Sequence, residues 1–311
     1  MQTTFELDNQ KERARTRREF LGSSALALFG MCLGIPAPAQ ALPVNASLTD
    51  GLARIEEWSG GRMGVGLLDS GSGQILGHRL DERFPMCSTF KVLAVAAVLS
   101  RVDEGSEHLQ RSVPVRQTDV LKYAPVTSKH IGSNMTVADL CEAAITLSDN
   151  TAANLLLGAL GGPGVVTTFA RRIGDRHTQL DRIEPMLNEA APGDLRDTTT
   201  PRAMAQDLNS LVLGSALSTA SRTLLKNWMV RCKTGDKKIR SAVSKDYLVA
   251  DKTGSGDRNT SNDIGIIWPG NQAPFVLTIY LTGSKFDSAD QQSAIIAEAT
   301  RTCFSGSFGK P

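Results

Sequence analysis

Histidine, cysteine and aromatic residues are scarce: the 311 residues include 4 His, 5 Cys, 3 Trp and 3 Tyr. The histidines, His78, His108, His130 and His177, stand singly, with no i, i+4 pair and no second ligand type beside them, so no metal centre is expected. They are assigned to the surface or to loops. No two cysteines are closely spaced, and a chain this long does not rest on so few bridges; Cys87, Cys141, Cys232 and Cys303 are expected to be free and buried. Excess charge is missing too, since 34 Lys+Arg against 32 Asp+Glu leave +2, too little to wrap a nucleic acid. No apolar run reaches bilayer length. The phosphate loop, the dinucleotide glycine fingerprint and the Gly-x-Ser-x-Gly elbow are also absent, and no cofactor is expected.

What is present begins with an address. Residues 1 to 20 carry Lys11, Arg13, Arg15, Arg17 and Arg18; Leu21 to Ile35 is a short apolar stretch; Ala39-Gln40-Ala41 closes it. That is the order of a secretory signal, and Arg17-Arg18 before Phe20-Leu21 resembles the twin-arginine type. Cleavage after residue 41 predicts a near-neutral mature protein in the periplasm or medium, with no membrane attachment.

The mature chain reads as strands, helices, strands. Leu48, Leu52, Ile55 and Trp58 recur at helical spacing; Met63, Val65 and Leu67 alternate; Ser70 to Gly73 turns the chain into Gln74 to Leu76. Ser88 to Leu99 is apolar nearly all round, Thr136 caps a helix over Leu140 to Leu147, and Thr200-Pro201 opens another. Residues 174 to 199 lack periodicity, and a loop that long is usually functional. After a helix near Ser221 to Val230, the runs Tyr247 to Ala250, Ile264 to Trp268 and Phe275 to Leu281 predict an antiparallel meander, closed by a helix over Ala289 to Thr302. The expected class is α/β: an antiparallel sheet built from both chain ends (42–79 plus 232–311) and flanked by helices, an all-helical domain over 80–231, and the active site between them.

One constellation carries chemistry. Ser88-Thr89-Phe90-Lys91 opens the most apolar helix, and a three-residue step brings the hydroxyl and the amine to one face. A helix start offers N–H donors to an oxyanion, and a lysine in an apolar helix is costly to keep charged. The spacing alone proves little, because Ser307 to Lys310 repeats it, and Lys233-Thr234-Gly235 duplicates Lys252-Thr253-Gly254. Lys233 to Gly235 is read as a turn after a helix without function.

The order decides: Ser88-x-x-Lys91, Ser148-Asp149-Asn150, Glu184 to Asn188, then Lys252-Thr253-Gly254. From Leu48 to Thr302 the chain resembles a class A serine β-lactamase, near the cefotaximase-type enzymes. The resemblance implies a monomer whose partner is a small-molecule β-lactam, opened through a Ser88 acyl-enzyme. Lys91 or Glu184 takes the serine proton, Ser148 relays one to the lactam nitrogen, and the N–H groups of Ser88 and Ser255 hold the oxyanion. Glu184, helped by Asn188, activates the deacylating water on a loop over 179–197 that Arg182 and Asp197 bridge. Asn150, Lys252, Thr253, Ser255 and Tyr123 are implied to bind substrate. Ser261 stands where many relatives have an arginine; Lys238 either replaces it or is a plain solvated lysine, the second being the expectation. Cys87 precedes Ser88, and the position of its disulfide partner in the carbapenem-hydrolysing relatives is Gly256 here, a departure that argues against that type. A penicillin-sensing receptor or a cell-wall transpeptidase shares the acylation motifs, but the first lacks its tether here and the second normally lacks Glu184 and Asn188.

Overall fold

The computed structural model describes residues 44–305; the expected export signal and the Ser307 to Lys310 repeat lie outside the described residues. Helix α1 (Val44–Ser59) leads into the hairpin β1 (Arg62–Asp69) and β2 (Ile75–His78). Its turn is closed by Asp69, whose carbonyl accepts from Gly73 N at 2.8 Å and whose carboxylate accepts from Gly71 N and Ser72 Oγ. Next come β3 (Phe84–Pro85), α2 (Phe90–Asp103), β4 (Ser112–Pro114), β5 (Asn134–Thr136), α3 (Val137–Thr146), α4 (Asn150–Leu160) and α5 (Gly164–Arg172). The chain then runs through β6 (Thr198–Thr199), α6 (Pro201–Leu208) and α7 (Thr219–Val230) to β7 (Leu248–Gly256), β8 (Thr260–Trp268), β9 (Phe275–Thr282) and α8 (Ala289–Ser305).

The main sheet has the order β2-β1-β9-β8-β7 and is antiparallel throughout, so both chain ends build it, as expected. Two apolar clusters cover its faces. On one side Leu48, Leu52 and Ile55 of α1 and Ile295 and Ile296 of α8 meet Met63, Val65 and Leu67. On the other, Val276 and Ile264 join the core of α2, whose residues Phe90 to Ser100 are all buried. Each fully buried Leu or Ile there contributes about 1.5–3 kcal/mol relative to exposure.

Local signals operate as read. Thr136 and Asp139 form a reciprocal capping box at the start of α3, and Thr200 Oγ1 accepts from Ala203 N beside Pro201. Helix α4 ends at Gly161, whose φ of +98° suits a residue without Cβ.

Several readings need correction. Strand β7 runs on through Lys252 to Gly256, and β8 starts at Thr260, because Asp251, Lys252, Asn262 and Asp263 are buried polar residues with partners, which apolar runs do not reveal. Trp58 is 52% exposed rather than in the core, tilted against Phe286. His78 lies in a strand, half-buried, 2.9 Å from Glu56 Oε2. All four described cysteines are free and buried.

Candidate active site

Ser88 sits in a one-turn 3-10 helix, Cys87 to Thr89, that feeds directly into α2. The turn is strained: Cys87 holds φ at +46°, which a non-glycine residue adopts only when its surroundings enforce it. Asn262 of β8 supplies part of that force. It is fully buried, and its Nδ2 donates to Pro85 O at 2.9 Å and Met86 O at 3.0 Å. Met86 N in turn donates to Asp197 O, tying the Ser88 turn to the long loop.

Lys91, one turn on and fully buried, donates to Ser88 Oγ at 2.9 Å, to Ser148 O at 2.9 Å and to Asn150 Oδ1 at 2.7 Å. Its Nζ is also 3.0 Å from Glu184 Oε1. Burial pushes the Lys91 ammonium below the usual lysine range, and the Glu184 carboxylate opposes that. Ser148 and Asn150 enter at the turn into α4, where Asp149 caps the helix through Ala152 N and also accepts from Val126 N and Thr127 N. The motif's middle residue is thus scaffold, and its neighbours face the lysine.

Glu184 is buried, with Ser88 Oγ 3.1 Å from its Oε1 and Asn188 Nδ2 donating to Oε2. Asn154 of α4 brackets it: Asn154 Nδ2 donates to Glu184 O at 2.9 Å, and Asn154 Oδ1 accepts from Glu184 N at 3.0 Å. Arg182 Nε donates to Asp197 Oδ2 at 2.5 Å, while Asp197 Oδ1 accepts the N–H groups of Asp181 and Arg182, closing the neck of the loop.

The opposite wall is β7, an edge strand whose unpaired side faces the Cys87–Thr89 turn. The approach is close: a Cβ on Gly254 would sit 2.8 Å from Met86 O, and one on Gly256 would sit 2.6 Å from Cys87 Sγ. Lys252 points inward, donating to Ser148 Oγ at 2.9 Å and Thr253 O at 2.7 Å. Burial, reinforced by Lys91, lowers its pKa to about 8. A cleft of about 380 Å³ opens in front; of the lining side chains, Ser88, Tyr123, Ser148, Asn150, Asn188, Thr253 and Ser255 were anticipated. Tyr123 is half-exposed there.

This geometry joins a serine, two lysines and a buried carboxylate in a single hydrogen-bonded cluster, and the comparisons with known proteins agree with it. Residues 47–306 match the profile described as the β-lactamase enzyme family. The chain is 47% identical to β-lactamase L2 of Stenotrophomonas maltophilia over 92% of its length and 97% of that protein's. The chain belongs to the β-lactamase enzyme family. It is 46% identical to β-lactamase Toho-1 of Escherichia coli, over 82% of this chain and 87% of that one. Among solved structures, the ancestral (GNCA) class A β-lactamase superposes with a TM-score of 0.81 at 58% identity, covering 82% of this chain and 98% of that one. As a class A β-lactamase the chain opens the lactam ring of penicillins and cephalosporins through a serine acyl-enzyme, which confers resistance to them.

For this β-lactamase the structure also shows what sequence reasoning missed. Lys238 is buried, not solvated: it lines the cleft, its Nζ donates to Asn262 O at 3.0 Å, and Asp263 and Asp251 oppose the burial that lowers its pKa. Thr234, dismissed with its duplicate motif, shares a 2.6 Å hydrogen bond with Thr253 Oγ1 and lines the same cleft. Asn154 follows Asn150 by four residues on α4, and nothing in the sequence marked its bracketing of Glu184. For Asn262 no sequence signal pointed to the Ser88 turn.

Proposed function

We propose that Ser88 is the nucleophile of this β-lactamase and that Glu184 is the base for deacylation. The observation that carries this is the position of Ser88 Oγ, 2.9 Å from Lys91 Nζ and 3.1 Å from Glu184 Oε1. Ser88 Oγ attacks the lactam carbonyl carbon and passes its proton to Lys91 or Glu184. To accept the proton Lys91 must be neutral, keeping two N–H bonds to Ser148 O and Asn150 Oδ1 and turning its lone pair to Ser88 Oγ in place of the N–H it donates there in this structure. The oxyanion is held by the N–H groups of Ser88 and Ser255; losing one such donor typically costs ~10²–10³ in turnover. When the C–N bond breaks, Ser148, hydrogen-bonded to both lysines, delivers a proton to the nitrogen. Glu184 and Asn188 then direct water at the ester carbonyl, and Ser88 recovers its proton.

Substrate recognition falls to the mouth of the cleft. Asn150 holds the substrate's side-chain amide, Tyr123 stacks against it, and Thr253 and Ser255 donate to its carboxylate. Lys252 supplies positive potential from below, while Lys238 takes the place of the arginine that Ser261 leaves absent. All of these residues come from one chain, which supports a monomer as the working unit. The first 41 residues support export, by a twin-arginine-type signal, to the periplasm or medium. We retain 42–79 plus 232–311 and 80–231 as the domain boundaries, with α6 packed on β1 and β9 between them. Incubating the purified Ser88→Ala variant with benzylpenicillin tests the assignment: no adduct forms if Ser88 is the nucleophile, and a mass increase equal to benzylpenicillin would refute it.

A further inference from the structure

A second cavity, about 390 Å³, lies outside the catalytic cleft. Its walls come from the segment leading to the nucleophile turn (Arg83, Pro85), the catalytic loop (Leu187, Ala190, Pro192) and the β7–β8 turn (Arg258), with glycines 60, 61, 193 and 283 along its rim. Five arginines line it: Arg62, Arg83, Arg182, Arg196 and Arg258. Three already face carboxylates. Arg182 binds Asp197 and Glu189, Arg196 binds Asp194, and Arg62 stands 3.4 Å from Glu82. Among the described residues, Arg83 and Arg258 pair with no carboxylate, the Arg83 side chain donates only to Thr198 Oγ1, and the exposed Arg258 has no side-chain partner.

A volume of this size is that of a small-molecule site, and this one sets two uncommitted guanidinium groups beside proline, leucine and alanine side chains. Guanidinium forks match carboxylate and phosphate oxygens. We propose that this cavity is a binding site for a small organic anion: an apolar body against Pro85, Leu187 and Pro192, with a carboxylate or phosphate held by Arg83 and Arg258. An occupant there touches three segments next to the catalytic cluster, and none of the residues lining this cavity lines the cleft. The proposal rests on the cavity alone and not on the roles given to Ser88 and Glu184.

The test uses the full mature protein with 2-naphthoate, 2-naphthyl phosphate and the neutral 2-naphthalenemethanol. Calorimetry is expected to show an anion binding to the wild type, with the alcohol binding at least about tenfold more weakly. Arg258→Ala weakens the anion, and the double variant Arg83→Ala/Arg258→Ala weakens it by about tenfold or more. Amide chemical shifts are expected to move at Gly193 and Gly283. Because Arg258 makes no side-chain bond, its single variant remains folded and informative even if removing Arg83 disturbs Thr198. Equal binding of the alcohol, unchanged affinity in Arg258→Ala, or shifts confined to Thr253 and Ser255 in the catalytic cleft would each overturn the proposal.

Discussion

Asn154 grips Glu184 by its backbone on both sides, donating to the carbonyl at 2.9 Å and accepting from the N–H at 3.0 Å. The side chain of a rigid helix thereby fixes the carboxylate of an irregular loop. Asn154→Ala removes both bonds and leaves two backbone groups short of partners. Deacylation is expected to slow by roughly 10–100-fold, since a small misplacement of a catalytic group costs about that much. Acylation by benzylpenicillin should be affected less. Rapid-quench mass spectrometry checks this: acyl-enzyme accumulates in Asn154→Ala at steady state and not in the wild type.

Lys238 makes a different kind of prediction. If it receives the substrate carboxylate, Lys238→Ala raises KM for benzylpenicillin by roughly 10–100-fold, the range expected for one hydrogen bond to a charged group. Lys238→Arg restores much of it, and kcat moves less than KM. A KM unchanged in Lys238→Ala would return this residue to the role of a bystander.

The pH dependence follows from Lys252. Its pKa is lowered to about 8, so above that pH the free enzyme loses a positive charge beneath the carboxylate-binding residues. The alkaline limb of kcat/KM for benzylpenicillin is expected near that value, because kcat/KM reports the free enzyme. Stability moves the other way. From about 8 to 10.5 the unfolded chain keeps a proton that the folded one has lost, so this group's contribution to stability rises with pH across that window. A kcat/KM that stays flat to about pH 9.5 would contradict the assignment.

Gly254 tests the fit between the two walls. An added Cβ would lie 2.8 Å from the backbone oxygen of Met86, which cannot move aside as a side chain can. Gly254→Ala is expected to push β7 away from the Ser88 turn and to lower the acylation rate by about tenfold or more. Stopped-flow acylation with nitrocefin measures it, and a wild-type rate would show that the turn yields freely.

The catalytic motifs were legible because each is a short run with local chemistry: Ser88 and Lys91 on one helical turn, Ser148 and Asn150 flanking a capping aspartate, Glu184 and Asn188 four residues apart. The sheet was legible from apolar runs at both chain ends. What stayed hidden depends on contacts between distant residues. Lys238 looked solvated because the groups that hold it, Asn262 O and the carboxylates of Asp263 and Asp251, lie far along the chain on β7 and β8. Thr234 looked like a coincidence until the fold set it 2.6 Å from Thr253 Oγ1. The two-residue strands β3 and β6 are too short to show any period, yet their pairing of Phe84 with Thr199 joins the approach to the nucleophile with the end of the catalytic loop.

The most direct test of the account is the fate of the acyl-enzyme in Glu184→Gln. The variant keeps the shape of the side chain and its contacts with Asn188 while removing the base. Mixed with benzylpenicillin, it should gain the mass of one substrate molecule on Ser88 and retain it long after the wild type has returned to its free mass. Multiple turnover by Glu184→Gln at a rate close to the wild type's, with no lasting adduct, would contradict the account.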